Sequence, residues 1–320
     1  MATNTQIIEK ARLGLQELTS GDGVLEQASA KEFLQIAVAS SDLLPMCTVV
    51  PMRSPSQRIN TIGIGSRVLR RGTPGQAVQE GVGQTGVDFT APVMDAQLFR
   101  GEVPIDIEVF EDNIEQGGLR NTLMTLLPQA IARDMDELLI SGDTASADPY
   151  LSSFDGLLKQ VVTNTHDFSN RRIVTPANAD PWADMDAMMR LVPRHWRRSM
   201  PNFKFLTSFK SLSDFTKGQI SRETPLGDTA LTTENSALYK GRSIVQIGMW
   251  PEDIDGNDTD QTEVVFFNPK NFHVGIWRNV QIELVPEPRE GRIYFVISLR
   301  FTCKLAVEEA CVKGLNVLNS

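Results

Sequence analysis

From Ile293 to Leu305 the chain alternates without a break. Ile293, Phe295, Ile297, Leu299, Phe301, Cys303 and Leu305 fall on one side, and Tyr294, Ser298, Arg300, Thr302 and Lys304 on the other. A two-residue period held that long specifies a strand with one face against a core. At about 3.3 Å per residue such a strand spans roughly 40 Å, so whatever packs on it must be comparably long. The sequence supplies one partner of that length. Leu119, Leu123, Leu126, Leu127, Ala130, Ile131, Met135, Leu138 and Leu139 recur at steps of three and four, the stripe of an α-helix over 119–141. At about 1.5 Å per residue it is roughly 35 Å long. Asn121, Thr122, Gln129, Arg133, Asp136 and Glu137 are expected on its outer side. Gly117 and Gly118 mark its start, Gly142 can turn left-handed past its end, and Pro128 should bend the rod rather than break it. A bent rod across a long antiparallel sheet is an α+β arrangement.

Further strands are expected at Val264–Phe267, Phe272–Trp277 and Val280–Val285, with turns at Asn268-Pro269 and over 286–291. Upstream, Phe203–Thr207 and Arg242–Ile247 read as strands, the latter closed by Met249, Trp250 and Pro251. Phe154–Val162 reads as a strand leading on from the helix. Ser208–Lys217 reads as a short helix opening on Ser208, and Arg222–Thr233 as a polar loop. Trp182–Pro201 carries Met185, Met188, Met189, Val192 and Trp196 on one side, and Pro193 should bend or split it.

The first half has a different texture. Residues 1–27 are polar and read as an arm of weak helical tendency. Ser29 and Glu32 form a capping box for a short helix through Phe33, Ile36, Ala37 and Ser40, ending by Pro45. Its apolar face is too small to hold it folded alone. From Met52 to Gly101, eight glycines are interleaved with Thr, Ser, Gln and Arg, flanked by alternating runs at Arg58–Ile64 and Ala96–Ile105. This pattern predicts two strands with a long projecting tip. It holds neither GxxxxGK[ST] nor a GxGxxG at a strand-to-helix junction, so it does not read as a phosphate loop.

Composition narrows the function. With 41% apolar and 22% charged residues the chain is a folded protein, and its net charge of −9 argues against one that wraps DNA with its whole surface. Cys47, Cys303 and Cys311 include no CxxC and suggest reduced, cytosolic folding. There is no apolar run of about 18 residues to span a membrane. His166, His195 and His273 lie in unrelated segments, with no HExxH and no GxSxG nearby. Asp253–Glu263 fails as a calcium loop: counted from Asp253, Asp258 stands where Gly is needed and Val264 where Glu is needed. Arg190, Arg194, Arg197 and Arg198 cluster where the helix macrodipole favours positive charge. No catalytic, cofactor-binding or metal-binding residue is therefore assigned, and no cofactor is expected.

The order of elements then carries the argument. A polar arm, a glycine-rich two-stranded loop and an acidic Glu108–Glu115 lead-in come first. A long helix follows, closed by Leu138-Leu139-Ile140-Ser141-Gly142-Asp143, and long final strands end the chain. This order resembles the major capsid proteins of tailed phages, with the Hong Kong 97-type fold. Phe154-Asp155-Gly156-Leu157 is similar to that family's strand after the long helix. Tyr239-Lys240-Gly241-Arg242-Ser243-Ile244-Val245 with Met249-Trp250-Pro251, and Phe266 through Gly275, resemble two later stretches.

The resemblance implies a spine helix on long antiparallel strands, with an N-terminal arm (1–50) and an extended loop over a neighbouring subunit (51–101). It also implies a peripheral domain (102–144 and 265–305) and an axial domain (145–264 and 306–320). The implied function is that of a self-assembling, non-enzymatic shell subunit forming pentamers and hexamers of an icosahedral virion capsid, built in the host cytoplasm. The implied partners are its own copies, a separate scaffolding protein, a portal, decoration proteins, and packaged double-stranded DNA bound without sequence preference; no membrane is involved. Some relatives weld subunits through a lysine of the extended loop. None occurs between Arg53 and Gly101 here, so no such crosslink is expected. An encapsulin-type compartment shares the fold, and a soluble acidic enzyme shares the charge.

Overall fold

A computed structural model describes residues 41–59, 61–63, 88–107, 119–173, 183–220, 237–254 and 261–318. The expected helix before Ser41, the loop tip, the acidic lead-in and the polar loop after Arg222 lie outside these residues. In chain order the strands are β1 (Thr48–Pro51), β2 (Ser56–Arg58), β3 (Thr61–Gly63), β4 (Asp88–Thr90), β5 (Val93–Asp95), β6 (Gln97–Asp106), β7 (Thr165–Arg171), β8 (Lys204–Thr207), β9 (Leu238–Tyr239), β10 (Arg242–Gln246), β11 (Gln261–Phe267), β12 (Phe272–Glu287), β13 (Arg292–Leu305) and β14 (Val312–Leu318). The helices are α1 (Leu119–Ser141), α2 (Leu157–Gln160), α3 (Ala183–Leu191) and α4 (Phe209–Ile220).

The alternating run becomes β13, the centre of a four-stranded sheet ordered β1-β12-β13-β6. It pairs antiparallel with β12 and β6, while β1 joins β12 in parallel. The two strands expected at 272–277 and 280–285 are one. Register shifts between Ile276 and Arg278 and between Arg278 and Gln281 absorb the extra residues and let pairing resume. The inward row of β13 and β12 shares one apolar cluster with Met135, Leu138, Leu139 and Ile140, so the last part of α1 packs on that face.

Three readings of α1 need correction. Leu126 is 53% exposed rather than packed, and Asp136, expected outside, is 4% exposed. Gly142 is not left-handed, since the only positive-φ glycines among the described residues are Gly241 and Gly291. It is glycine because two backbones cross there. An ideal Cβ on Gly142 would lie 2.5 Å from the Phe154 oxygen and 2.6 Å from the Leu138 oxygen, and one on Gly156 would lie 2.7 Å from the Gly142 nitrogen. The Gly156 N–H donates to the Gly142 oxygen at 2.8 Å, locking the crossing.

The strand expected at 154–162 is instead a turn of helix, α2. Phe154, Leu157, Leu158 and Val161 are all buried, and their steps of three and four are helical. A second sheet, ordered β7-β14-β11-β8-β10-β9, carries its own core. Met185 and Met188 of α3 and Phe215 of α4 meet Phe203, Phe205 and Phe266 there. α3 stops at Leu191 ahead of Pro193, and a 3-10 turn follows at Arg197–Asn202, the expected split. α4 opens as expected after Ser208, whose Oγ accepts from the Ser211 N–H at 3.3 Å.

Candidate functional site

Two small clusters stand apart from the filling of the two cores, one at the base of the β2–β5 ladder and one at Ser41 and Asp42. The first is the loop. β2 pairs antiparallel with β5, and β3 with β4, giving two short ladders in line. Between them only the Ile59 N–H to Pro92 oxygen bond, 2.9 Å, is described. Ser56, Arg58, Val93 and Asp95 are exposed, so the ladder nearest the body is bare on that face, while β5 lies close over β13 on the other. Its anchor is a pair of methionines. Met94 is 1% and Met52 6% exposed, and an ideal Cβ on Gly275 would stand 2.6 Å from the Met52 sulfur and 3.3 Å from that of Met94. Gly275 faces away from α1, because its neighbours Val274 and Ile276 point into the main core. It pairs with Thr302, which is buried despite also pointing outward. A glycine here lets two sulfurs settle on bare backbone, and the Met52 N–H donates to the Ile276 oxygen at 2.8 Å.

The second root is at Ser41 and Asp42, the first of the described residues. The Ser41 hydroxyl donates to Asp136 at 2.6 Å, and the Asp42 N–H donates to the other oxygen of the same carboxylate at 2.9 Å. The Asp42 side chain in turn accepts from the Gly248 N–H at 2.9 Å. Four residues thus tie the long helix to the turn after β10, and Leu43 and Leu44 are buried in the core beside them. Burial pushes the Asp136 pKa up, while the bonds from Ser41 and Asp42 pull against that shift. This is the reason a carboxylate sits inside: two donors hold it.

The groups with chemical potential do not converge. His166 lies on β7, 3.0 Å from an Asp184 oxygen that also accepts from Arg171 at 3.0 Å. His195 lies beside Trp196, and His273 on β12 is 3.2 Å from the Asn271 oxygen. Among the described residues no three His, Cys, Asp or Glu side chains are arranged to hold a metal. Burial, then Asp136, pushes the Cys47 thiol up to about 12; burial pushes Cys311 to about 12 and raises Cys303 as well. Thiols held that high are inert. Arg197 of the basic cluster donates to the Val192 and Arg190 oxygens at 3.0 and 2.8 Å, capping α3. Glu263, at the end of the acidic run, pairs with Lys313 at 3.2 Å.

Sequence reasoning named neither root. The signal for the loop seat was Gly275, a glycine at an outward position of a strand, which marks close backbone approach. Nothing in the helical pattern separated Asp136 from its solvated neighbours.

The phage capsid family matches residues 21–315. The putative prophage capsid protein YqbE of Bacillus subtilis (strain 168) is 30% identical over 325 residues, covering 98% of this chain and 99% of that one. Among solved structures, the satellite phage P4 procapsid including size determination (Sid) protein matches with a TM-score of 0.65 at 12% identity, over 99% of this chain and 98% of that one. The capsid of the native GTA particle computed with C5 symmetry matches at 0.64 and 14% identity, over 87% and 90%. At these identities the two structures speak for the fold alone.

Proposed function

This chain belongs to the phage capsid family, and we propose that it works as a tile whose two rooted extensions are completed by neighbouring copies. It is the major capsid protein of a tailed phage, a structural protein whose place is the virion capsid. The shell is icosahedral, built from pentamers and hexamers around double-stranded DNA. Residues 1–50 form the arm and 51–101 the loop that reaches a neighbour. Residues 102–144 with 265–305 form the peripheral domain, and 145–264 with 306–320 the axial domain. The second sheet, with α3 and α4, falls almost wholly within the axial part, which supports this division. A separate scaffolding protein, a portal and decoration proteins assist assembly. The loop, lacking lysine from Arg53 to Gly101, forms no covalent weld.

The observation that carries the tile reading is the loop base, exposed at alternate positions of β2 and β5 and, among the described residues, buried only at Met52 and Met94. A segment with so little to pack on gains burial by lying on another copy, so its ordering and shell growth are one event. Electron microscopy of the overexpressed chain should show closed shells, and compact monomers would contradict the reading. Phage particles should contain DNA; protein cargo would instead point to an encapsulin-type compartment.

A further inference from the structure

On the face of the four-stranded sheet that points away from α1, three arginines stand together. Arg278 lies opposite Arg300, Leu98 completes that row on β6, and Arg100 lies one row further on, opposite Ser298. Like charges directly opposite on a sheet face repel. None of the three takes part in any ion pair among the described residues. Arg100 and Arg278 are exposed, as is Leu98 at 40%. The Arg300 guanidinium carbon sits 4.5 Å from the centre of the Trp277 ring, and its Nε is buried with no acceptor. A stacked guanidinium is already fixed in orientation, so little freedom remains to be lost when an anion arrives.

The next row along the same strands is acidic. Glu283 and Glu102 flank Val296, both exposed and both absent from the described ion pairs. A phosphate backbone on the arginines would run onto these carboxylates in the row next to Arg100 and be repelled where it is drawn in. A second copy escapes that conflict. It carries both signs on one surface within a net charge of −9, and an offset, head-to-tail contact can bring carboxylates of one copy to arginines of the next. We infer that Arg278, Arg300 and Arg100 form an interface that binds carboxylate side chains of a second copy of this chain. The inference rests on the shell-subunit reading and adds to it the chemistry of one contact.

The test uses particles formed by the chain alone, with no phage genome present. Arginine-directed dicarbonyl labelling of the unaltered protein should modify Arg100 and Arg278 readily in dissociated subunits and at least fivefold more slowly in particles. The double variant Arg100→Glu/Arg278→Glu, at the two exposed positions, should keep the thermal midpoint and circular dichroism of the parent, yet give at least tenfold fewer particles. Equal labelling in both states overturns the inference whether or not the variant folds, as does an undiminished particle yield. Failure of the unaltered chain to form particles is a different result, which removes the shell-subunit reading itself.

Discussion

The β12–β13 pair and the loop ladders use the same backbone hydrogen bonds and end in opposite conditions. β13 buries Ile293, Phe295, Ile297, Leu299, Phe301, Cys303 and Leu305 under α1, and two bulges in β12 leave the pairing intact on either side. β2 and β5 pair over three residues and bury one methionine between them, Met94. The difference teaches that hydrogen bonding does not decide which part of this chain stands alone. A ladder is stable when one face is covered, and an isolated two-stranded ribbon is marginal in water. The body covers its own sheet. Among the described residues, the loop is buried only at Met52 and Met94.

Substitutions can break each side of that contrast separately. The largest effect belongs to the body. Gly142→Ala places a methyl 2.5 and 2.6 Å from two backbone oxygens that have nowhere to move, and should cost about 4 kcal/mol or more, read as a lowered denaturant midpoint or failure to fold. Gly275→Val attacks the loop instead. It drives Met52 and Met94 off the sheet at a cost of about 1–3 kcal/mol. The body should remain folded by circular dichroism while particle yield collapses; normal particles would show that the seat does not position the loop.

Ser41→Ala is smaller. It removes one donor from the buried Asp136 and the acceptor of the Leu44 N–H, and should cost about 1–3 kcal/mol by denaturant titration. The smallest effect is a pH dependence in the body. Burial pushes Glu308 up, but bonds from the Thr163 hydroxyl and the Val162 and Thr163 N–H groups outweigh it and leave the carboxyl below its ordinary range. A carboxylate depressed on folding contributes stability above its unfolded pKa and loses it as pH falls through the folded value. Glu308→Gln should therefore lower the thermal midpoint slightly at neutral pH and match the parent in acid. A constant difference at every pH would contradict that sign.

Legibility in the sequence followed coverage. Where a face is buried by its own chain, burial writes a period: the alternation of β13 and the helical stripe of α1 specify both elements, and the last part of α1 shares the cluster of β13. Pro193 gave the split after α3. The order of elements gave the family. The misreadings have local causes. Phe154 to Val161 is short enough that an apolar run reads either way, as strand or as a turn of helix. A bulge is invisible to a period count, so β12 looked like two strands. Asp136 is a polar residue buried for its hydrogen bonds rather than its hydrophobicity, which no pattern of apolar positions reveals. The arginine row escaped notice because it depends on register among three strands far apart in sequence.

The account depends most on the loop being completed by other copies. Hydrogen exchange compares β2, β3, β4 and β5 directly with β12 and β13, in dissociated subunits and in shells. The account predicts that β12 and β13 are protected in both, while the four loop strands exchange rapidly in subunits and slow at least a hundredfold in shells. Equal, strong protection of the loop strands in the dissociated subunit would contradict it.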